Sequence, residues 1–139
     1  MNTMPRSVNR PVVFEVIGPE QPTLVEAELR YDPADPYAVA VAFLSHGTEV
    51  LWVFARDLLI RGVSEPTGDG DVQVFPSLDD DGRAEVGLML RSPAGQTLMK
   101  VPARDVMGFL ARSTRSVWPG TESDHLSADK AIAAILVGD

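Results

Sequence analysis

One short stretch of sequence occurs twice. Val53-Phe54-Ala55-Arg56-Asp57-Leu58-Leu59 and Val101-Pro102-Ala103-Arg104-Asp105-Val106-Met107 share Val, Ala, Arg and Asp at the same offsets. Each copy closes a run patterned as strands and opens a run patterned as helix. An acid in the first helical turn interacts favourably with the helix dipole, so local physics accounts for part of the match. The repeated succession points to a duplicated unit, a β-run followed by a helix. An α+β chain follows, in which two antiparallel sheets pack face to face, each burying one side, with helices closing the C-terminal part.

The strand runs are legible from period-two alternation and from the turns between them. Pro11 to Ile17 is β-branched and stops at Gly18-Pro19. Val25, Ala27, Leu29 and Tyr31 alternate with Glu26, Glu28 and Arg30, giving one dry and one wet face. Asp32 to Pro36 must turn, because two prolines fix φ and remove backbone donors. Tyr37 to Leu44 sets bulky Tyr37, Val39, Val41 and Phe43 against alanines, a small-residue face suited to close packing. Ser45 to Thr48 turns into Glu49–Phe54, apolar on both sides and so expected to be covered on both. Such a strand also raises self-association as a way to hide a face or an edge. In the second run, Asp71–Phe75 is a strand ended by Pro76, and Asp79 to Gly82 is a hairpin turn into Arg83–Arg91. Ser92 to Gly95 turns again into Gln96–Val101.

Helices are expected in three places. Arg56–Arg61 is short, with Gly62 suited to its C-terminal cap. A second begins near Pro102, placing Val106, Phe109 and Leu110 on one stripe, with Arg112 and Arg115 near its end and Pro119-Gly120 stopping it. A third starts at Asp124 or Ser127 and buries Ile132, Ile135 and Leu136. Residues 1–10 read as a flexible N-terminal arm and 11–139 as a single domain.

Charge and composition remove several classes of function. Twelve Lys and Arg stand against 20 Asp and Glu, a net charge of −8. Nucleic acids and anionic membrane surfaces attract cations, so both are disfavoured as partners. The clusters Arg6/Arg10 and Arg112/Arg115 read as solvated surface. With no cysteine, disulfides, thiolate metal sites and thiol nucleophiles are excluded. Met1 to Arg10 lacks the apolar stretch of a signal peptide, and Ala131–Val137 is too short to span a bilayer. A cytoplasmic protein without direct membrane insertion is the expectation.

Catalytic chemistry finds no foothold. His46 sits in a predicted turn and His125 in a polar stretch, with no metal-ligand spacing between them. Asp79, Asp80 and Asp81 run straight into Gly82 and a strand, unlike a calcium loop, and so form a solvated hairpin tip. Gly68-Asp69-Gly70-Asp71 is a loop opening a strand, not a phosphate cradle. No serine stands in a nucleophile elbow. No catalytic, cofactor or metal residue is assigned, and the chain is expected not to be an enzyme. Of the two tryptophans, Trp52 is expected in the core. Trp118, beside Pro119-Gly120 at a helix end, is expected to pack in the core or between helices ahead of touching a partner, and is the one candidate for partner contact.

Two long motifs resemble a known family. Arg-Tyr-Asp-Pro-Ala-Asp-Pro-Tyr-Ala-Val from Arg30 to Val39 and Trp-Val-Phe-Ala-Arg-Asp-Leu-Leu from Trp52 to Leu59 are similar to the SsgA-like proteins of sporulating actinobacteria. Pro66–Val72, Pro102-Ala103, Phe109-Leu110, Pro119-Gly120-Thr121-Glu122 and Ile135-Leu136 extend the resemblance over roughly residues 11 to 137. The resemblance implies a cell-division and sporulation adaptor at the septum. Its partners are the tubulin-like GTPase FtsZ or other SsgA-like proteins, and it needs no cofactor or catalytic residue. It also implies a homotrimer and a whirly-like fold. That fold leaves a single-stranded nucleic-acid binder as the alternative, which the acidic charge opposes.

Overall fold

The computed structural model describes residues 6–68 and 70–126. Four strands form a first meander: β1 (Val8–Val16), β2 (Thr23–Tyr31), β3 (Ala38–Ser45) and β4 (Thr48–Ala55). Helix α1 (Arg56–Gly62) follows without an intervening residue. A second meander, β5 (Val72–Leu78), β6 (Ala84–Ser92) and β7 (Gly95–Pro102), runs as directly into α2 (Ala103–Ser116). A short 3₁₀ turn covers Glu122–His125. The expected last helix, with Ile132, Ile135 and Leu136, lies outside the described residues. Val8 is buried and pairs with Tyr31, so residues 8–10 belong to β1 rather than to the arm.

Two β-runs each followed by a helix are present, but the expected pair of separate sheets is not. All seven strands join one antiparallel sheet in the order β4-β3-β2-β1-β7-β6-β5. The halves meet at a narrow seam: Glu15 opposite Lys100, Val16 opposite Met99, and the Ile17 N–H donating to the Leu98 carbonyl at 2.9 Å. With so little pairing there, the sheet curls. In a flat sheet β4 and β6 lie about 24 Å apart, yet Val50 and Trp52 of β4 line one cavity with Leu90 of β6 and Thr97 and Met99 of β7. Curling buries the inner face as a single core, with Phe14 and Phe43 ring centroids 5.3 Å apart. Helix α2 lays Val106, Phe109 and Leu110 onto it, the stripe read from the sequence.

The repeated sequence is out of step with the repeated structure. Matching Val53 to Val101 requires an offset of 48, whereas the helices start at Arg56 and Ala103, an offset of 47. A one-residue slip turns each strand side chain to the opposite face. Val53 is accordingly exposed and Val101 fully buried, while Arg56 is buried and Arg104 exposed. The β-run–helix pattern is real, and its sequence echo is not the structural equivalence.

Three local expectations also change. Gly62 does not cap α1 with a left-handed turn; it is the last helical residue, and a Cβ there sits 2.2 Å from Val74 Cγ1. Its role is the close approach of α1 to β5. Pro76 does not end β5, which continues to Leu78; proline is accommodated because β5 is an edge strand. Pro102 precedes α2 as its N-cap and still pairs with Glu85.

Candidate interaction surface

Where α1 begins and α2 ends, the chain is tied together by a buried cation. Arg56, the first residue of α1, is 1% exposed. Its guanidinium lies 4.7 Å from the Tyr31 ring centroid. Nη1 donates to the carbonyls of Ser113 (3.1 Å) and Val117 (2.8 Å), and Nη2 to Glu122 Oε1 (3.1 Å). The first two acceptors are carbonyls at the C-terminal end of α2, the negative end of its dipole. Glu122 Oε2 also accepts from the Gly120 N–H at 2.8 Å. Burial pushes the Glu122 carboxyl up, but its own backbone N–H, Arg56 and Gly120 outweigh this and hold it below the usual carboxylate range. Tyr31 donates to the Pro36 carbonyl at 2.9 Å, and burial raises its phenol to about 12. Every partner is already engaged, so this is a structural tether rather than a reactive centre. Sequence reasoning took Arg56 only as a helix-start residue; its presence in the echo was the one available signal.

Beyond that tether Trp118 projects outward, 67% exposed, between buried Val117 and the Pro119-Gly120 turn. Among the described residues it does not pack in the core or between helices. Thr121 Oγ1 donates to the Trp118 carbonyl at 2.6 Å, which fixes the turn that carries it.

The larger open surface is on β4. Its inner side faces the core through half-buried Trp52 and buried Phe54, but its outer side is not covered as expected: Leu51 is 53% and Val53 55% exposed. Leu44 and Tyr37 add further exposed apolar area. The small face of β3 lies beside them, with Ala40 opposite Val53 and Ala42 opposite Leu51. A groove of about 350 Å³ runs past Leu51, Val53, Ala38 and Ala40 to Arg30, Asp32 and Asp35. The surroundings are acidic. Arg30 is shared between Glu28 (2.6 Å) and Glu49, and Glu26 is exposed on the same side. A nucleic-acid surface has the opposite sign.

The edge of β4 is also free among the described residues. The β3–β4 hairpin turns at His46 (φ 49°) and Gly47 (φ 77°), a left-handed pair closing Ser45 onto Thr48. From that closing pair, antiparallel alternation joins Phe43–Val50, Val41–Trp52 and Val39–Phe54 by backbone bonds. Glu49, Leu51 and Val53 therefore direct their N–H and C=O away from the sheet.

The remaining sequence candidates stay apart. His46 is in the turn and His125 in the 3₁₀ segment. Asp79 Oδ1 accepts from the Asp81 and Arg83 N–H groups at 2.9 and 2.8 Å, stabilising the hairpin tip. Gly68 (φ 98°) serves a loop. Among the described residues no group of three or more His, Cys, Asp or Glu is placed to hold a metal, and no helix is long and apolar enough to cross a membrane. A groove of about 550 Å³ between the β5–β6 tip and α2, lined by Asp79, Arg83, Glu85, Arg104 and Met107, holds no nucleophile paired with a base.

Comparison with known proteins identifies the family. Residues 25–122 match the family model of the Streptomyces sporulation and cell division protein SsgA. The chain is 46% identical over 122 residues to the sporulation-specific cell division protein SsgB of Streptomyces coelicolor, covering 87% of this chain and 88% of the relative. It is 47% identical over 120 residues to the SsgB of Kineococcus radiotolerans, covering 86% and 72%. Two solved structures share the fold. One is from work on SsgB mutations that correlate with longitudinal division during sporulation of S. coelicolor: TM-score 0.82, 42% identity, 91% of this chain and all of the other covered. The other is an SsgA-like sporulation-specific cell division protein of Thermobifida fusca: TM-score 0.83, 35% identity, 96% and 98% covered. This chain belongs to the SsgA family of sporulation and cell-division proteins.

Proposed function

We propose that the protein is a non-enzymatic adaptor of division and sporulation, which recruits or positions FtsZ at the septum by protein–protein contact. The observation that carries this reading is the uncovered apolar outer side of β4, around Leu51 and Val53 and within an acidic rim. Exposed apolar surface bounded by polar residues marks a docking site more often than a catalytic one. Family membership supplies the biological setting, and the name SsgB among the relatives fits it. The further features of the reading are a homotrimer, a whirly-like relationship between the two β-run–helix units, and action in the cytoplasm.

The test is solution mass and FtsZ co-sedimentation on one preparation. The expected result is a mass of three chains, with the protein pelleting alongside FtsZ filaments. Leu51→Ser with Val53→Ser is expected to keep the fold and reduce pelleting. A protein that stays in the supernatant at saturating FtsZ overturns direct recruitment.

A further inference from the structure

The two ends of the sheet are treated differently. At the β5 end, Val74 is the residue that faces away from β6, and Thr67 meets it: the Thr67 N–H donates to the Val74 carbonyl (2.8 Å) and the Val74 N–H to the Thr67 carbonyl (2.9 Å). The next outward position is Pro76, which has no N–H to offer. That edge is closed to any further strand. The β4 edge has no proline and, among the described residues, no bridge, and its outward residues Leu51 and Val53 combine backbone groups directed away from the sheet with exposed apolar side chains. Long, flat, apolar edges are ordinarily blunted.

The molecule itself shows what fits such an edge. Measured from the first residue of the following helix, Leu51 and Val53 of β4 correspond to Leu98 and Lys100 of β7. On β7 those outward positions are occupied by β1, through the Ile17 N–H to Leu98 and the Glu15–Lys100 pair. In the first half of the chain the equivalent place is vacant among the described residues. We infer that the β4 edge accepts an antiparallel extended segment of a partner protein whose outward face, read at every second residue, carries two apolar residues flanked by Lys or Arg. The apolar residues lie over Leu51 and Val53. The basic ones meet Glu49, on the same face as Leu51 and Val53, and the acidic groove at Asp32 and Asp35 beside the Arg30 that Glu28 and Glu49 share. The inference rests on the adaptor reading. A second copy is the poorer occupant: β4-to-β5 pairing is blocked by Thr67 and Pro76, and β4-to-β4 pairing closes a two-fold dimer, not the proposed trimer.

The probe is a capped nine-residue peptide, Thr-Lys-Thr-Val-Thr-Val-Thr-Lys-Thr, which sets its valines and lysines on one face, titrated into the full chain. Binding is expected to slow hydrogen exchange at the Glu49, Leu51 and Val53 amides. Val53→Pro removes an outward N–H that the fold does not use, and is expected to weaken binding at least tenfold while the helical circular dichroism is unchanged. The exchange measurement on the unsubstituted chain needs no variant. Absence of binding, binding indifferent to Val53→Pro, or a glutamate-substituted peptide binding equally well overturns the inference. So do amides already protected in the free protein, which indicate that the chain's own residues or a second copy cover the edge. If the peptide behaves as expected but FtsZ fails to co-sediment, the recruitment reading fails and the edge stands. If FtsZ co-sediments equally with Val53→Pro, the edge assignment fails and the recruitment reading stands.

Discussion

Arg56 Nη2 lies 3.1 Å from Glu122 Oε1 across 66 residues of chain, and the same guanidinium covers the face of Tyr31. A side chain from the first residue of α1 thus holds the end of α2 and the turn beyond it. In the other half of the chain the corresponding work is done by Asp105, whose Oδ1 lies 2.9 Å from Arg10 Nη2 across the sheet. One ion pair joins α1 to the segment beyond α2 and the other joins α2 to β1, and the two use different members of the same Ala-Arg-Asp sequence.

Arg56→Ala removes the cation and takes one donor each from two helix-end carbonyls and a carboxylate. Loss of one partner from a buried pair typically costs about 3–5 kcal/mol. Urea unfolding is expected to show a loss of that order with little change in slope. Arg56→Lys keeps the charge but not the fork that serves three acceptors, and falls between the two. An Arg56→Ala midpoint equal to that of the unsubstituted protein refutes the tether.

Stability is expected to fall at both ends of the pH scale for identifiable reasons. Because the folded Glu122 carboxyl is depressed, its contribution is present above the unfolded carboxylate range and is lost as pH falls through the folded value. Glu122→Gln flattens that acid limb. Tyr31 behaves in the opposite sense. Its phenol is raised to about 12, so stability is full below pH 10 and declines as pH climbs from 10 through 12. Ultraviolet titration is expected to show one phenolate forming only near pH 12, a step absent from Tyr31→Phe.

Gly62→Ala places a methyl group within 2.4 Å of two Val74 atoms. Helix α1 cannot back away without breaking its junction with β4, so a loss of about 1–3 kcal/mol is expected. Val74→Gly removes both atoms, and the double variant is expected to be more stable than the sum of the two single losses. Strict additivity in that cycle rules out the contact as the cause.

Trp118→Phe is expected to leave stability within about 0.5 kcal/mol, since the ring is exposed. The fluorescence left behind comes from half-buried Trp52 and is expected to shift to shorter wavelength and resist acrylamide quenching. An unchanged spectrum contradicts the exposure of Trp118.

The strands, their turns and the apolar stripe of α2 were legible because alternation and the 3.6-residue period are local properties. Val25 to Tyr31 carries its facing in its own spelling, and so do Val106, Phe109 and Leu110. What failed were inferences about what lies on top. Glu49 to Phe54 is apolar on both sides, yet only one side is covered. Gly62 looked like a cap because a glycine at a helix end usually is one; the Val74 side chain that requires it lies on another strand.

The chain's own order of residues determined an acidic, cysteine-free α+β protein, two β-runs each entering a helix, and the family resemblance that comparison bore out. Tertiary structure alone decided that the runs join into one curled sheet, that Arg56 is buried while Arg104 is exposed, and that the β5 edge is closed while β4 remains open. Periodicity reports which face a residue takes relative to its neighbours in sequence. It carries no information on the partner across the sheet, and a one-residue difference in where a helix starts exchanges the buried and exposed members of two similar motifs.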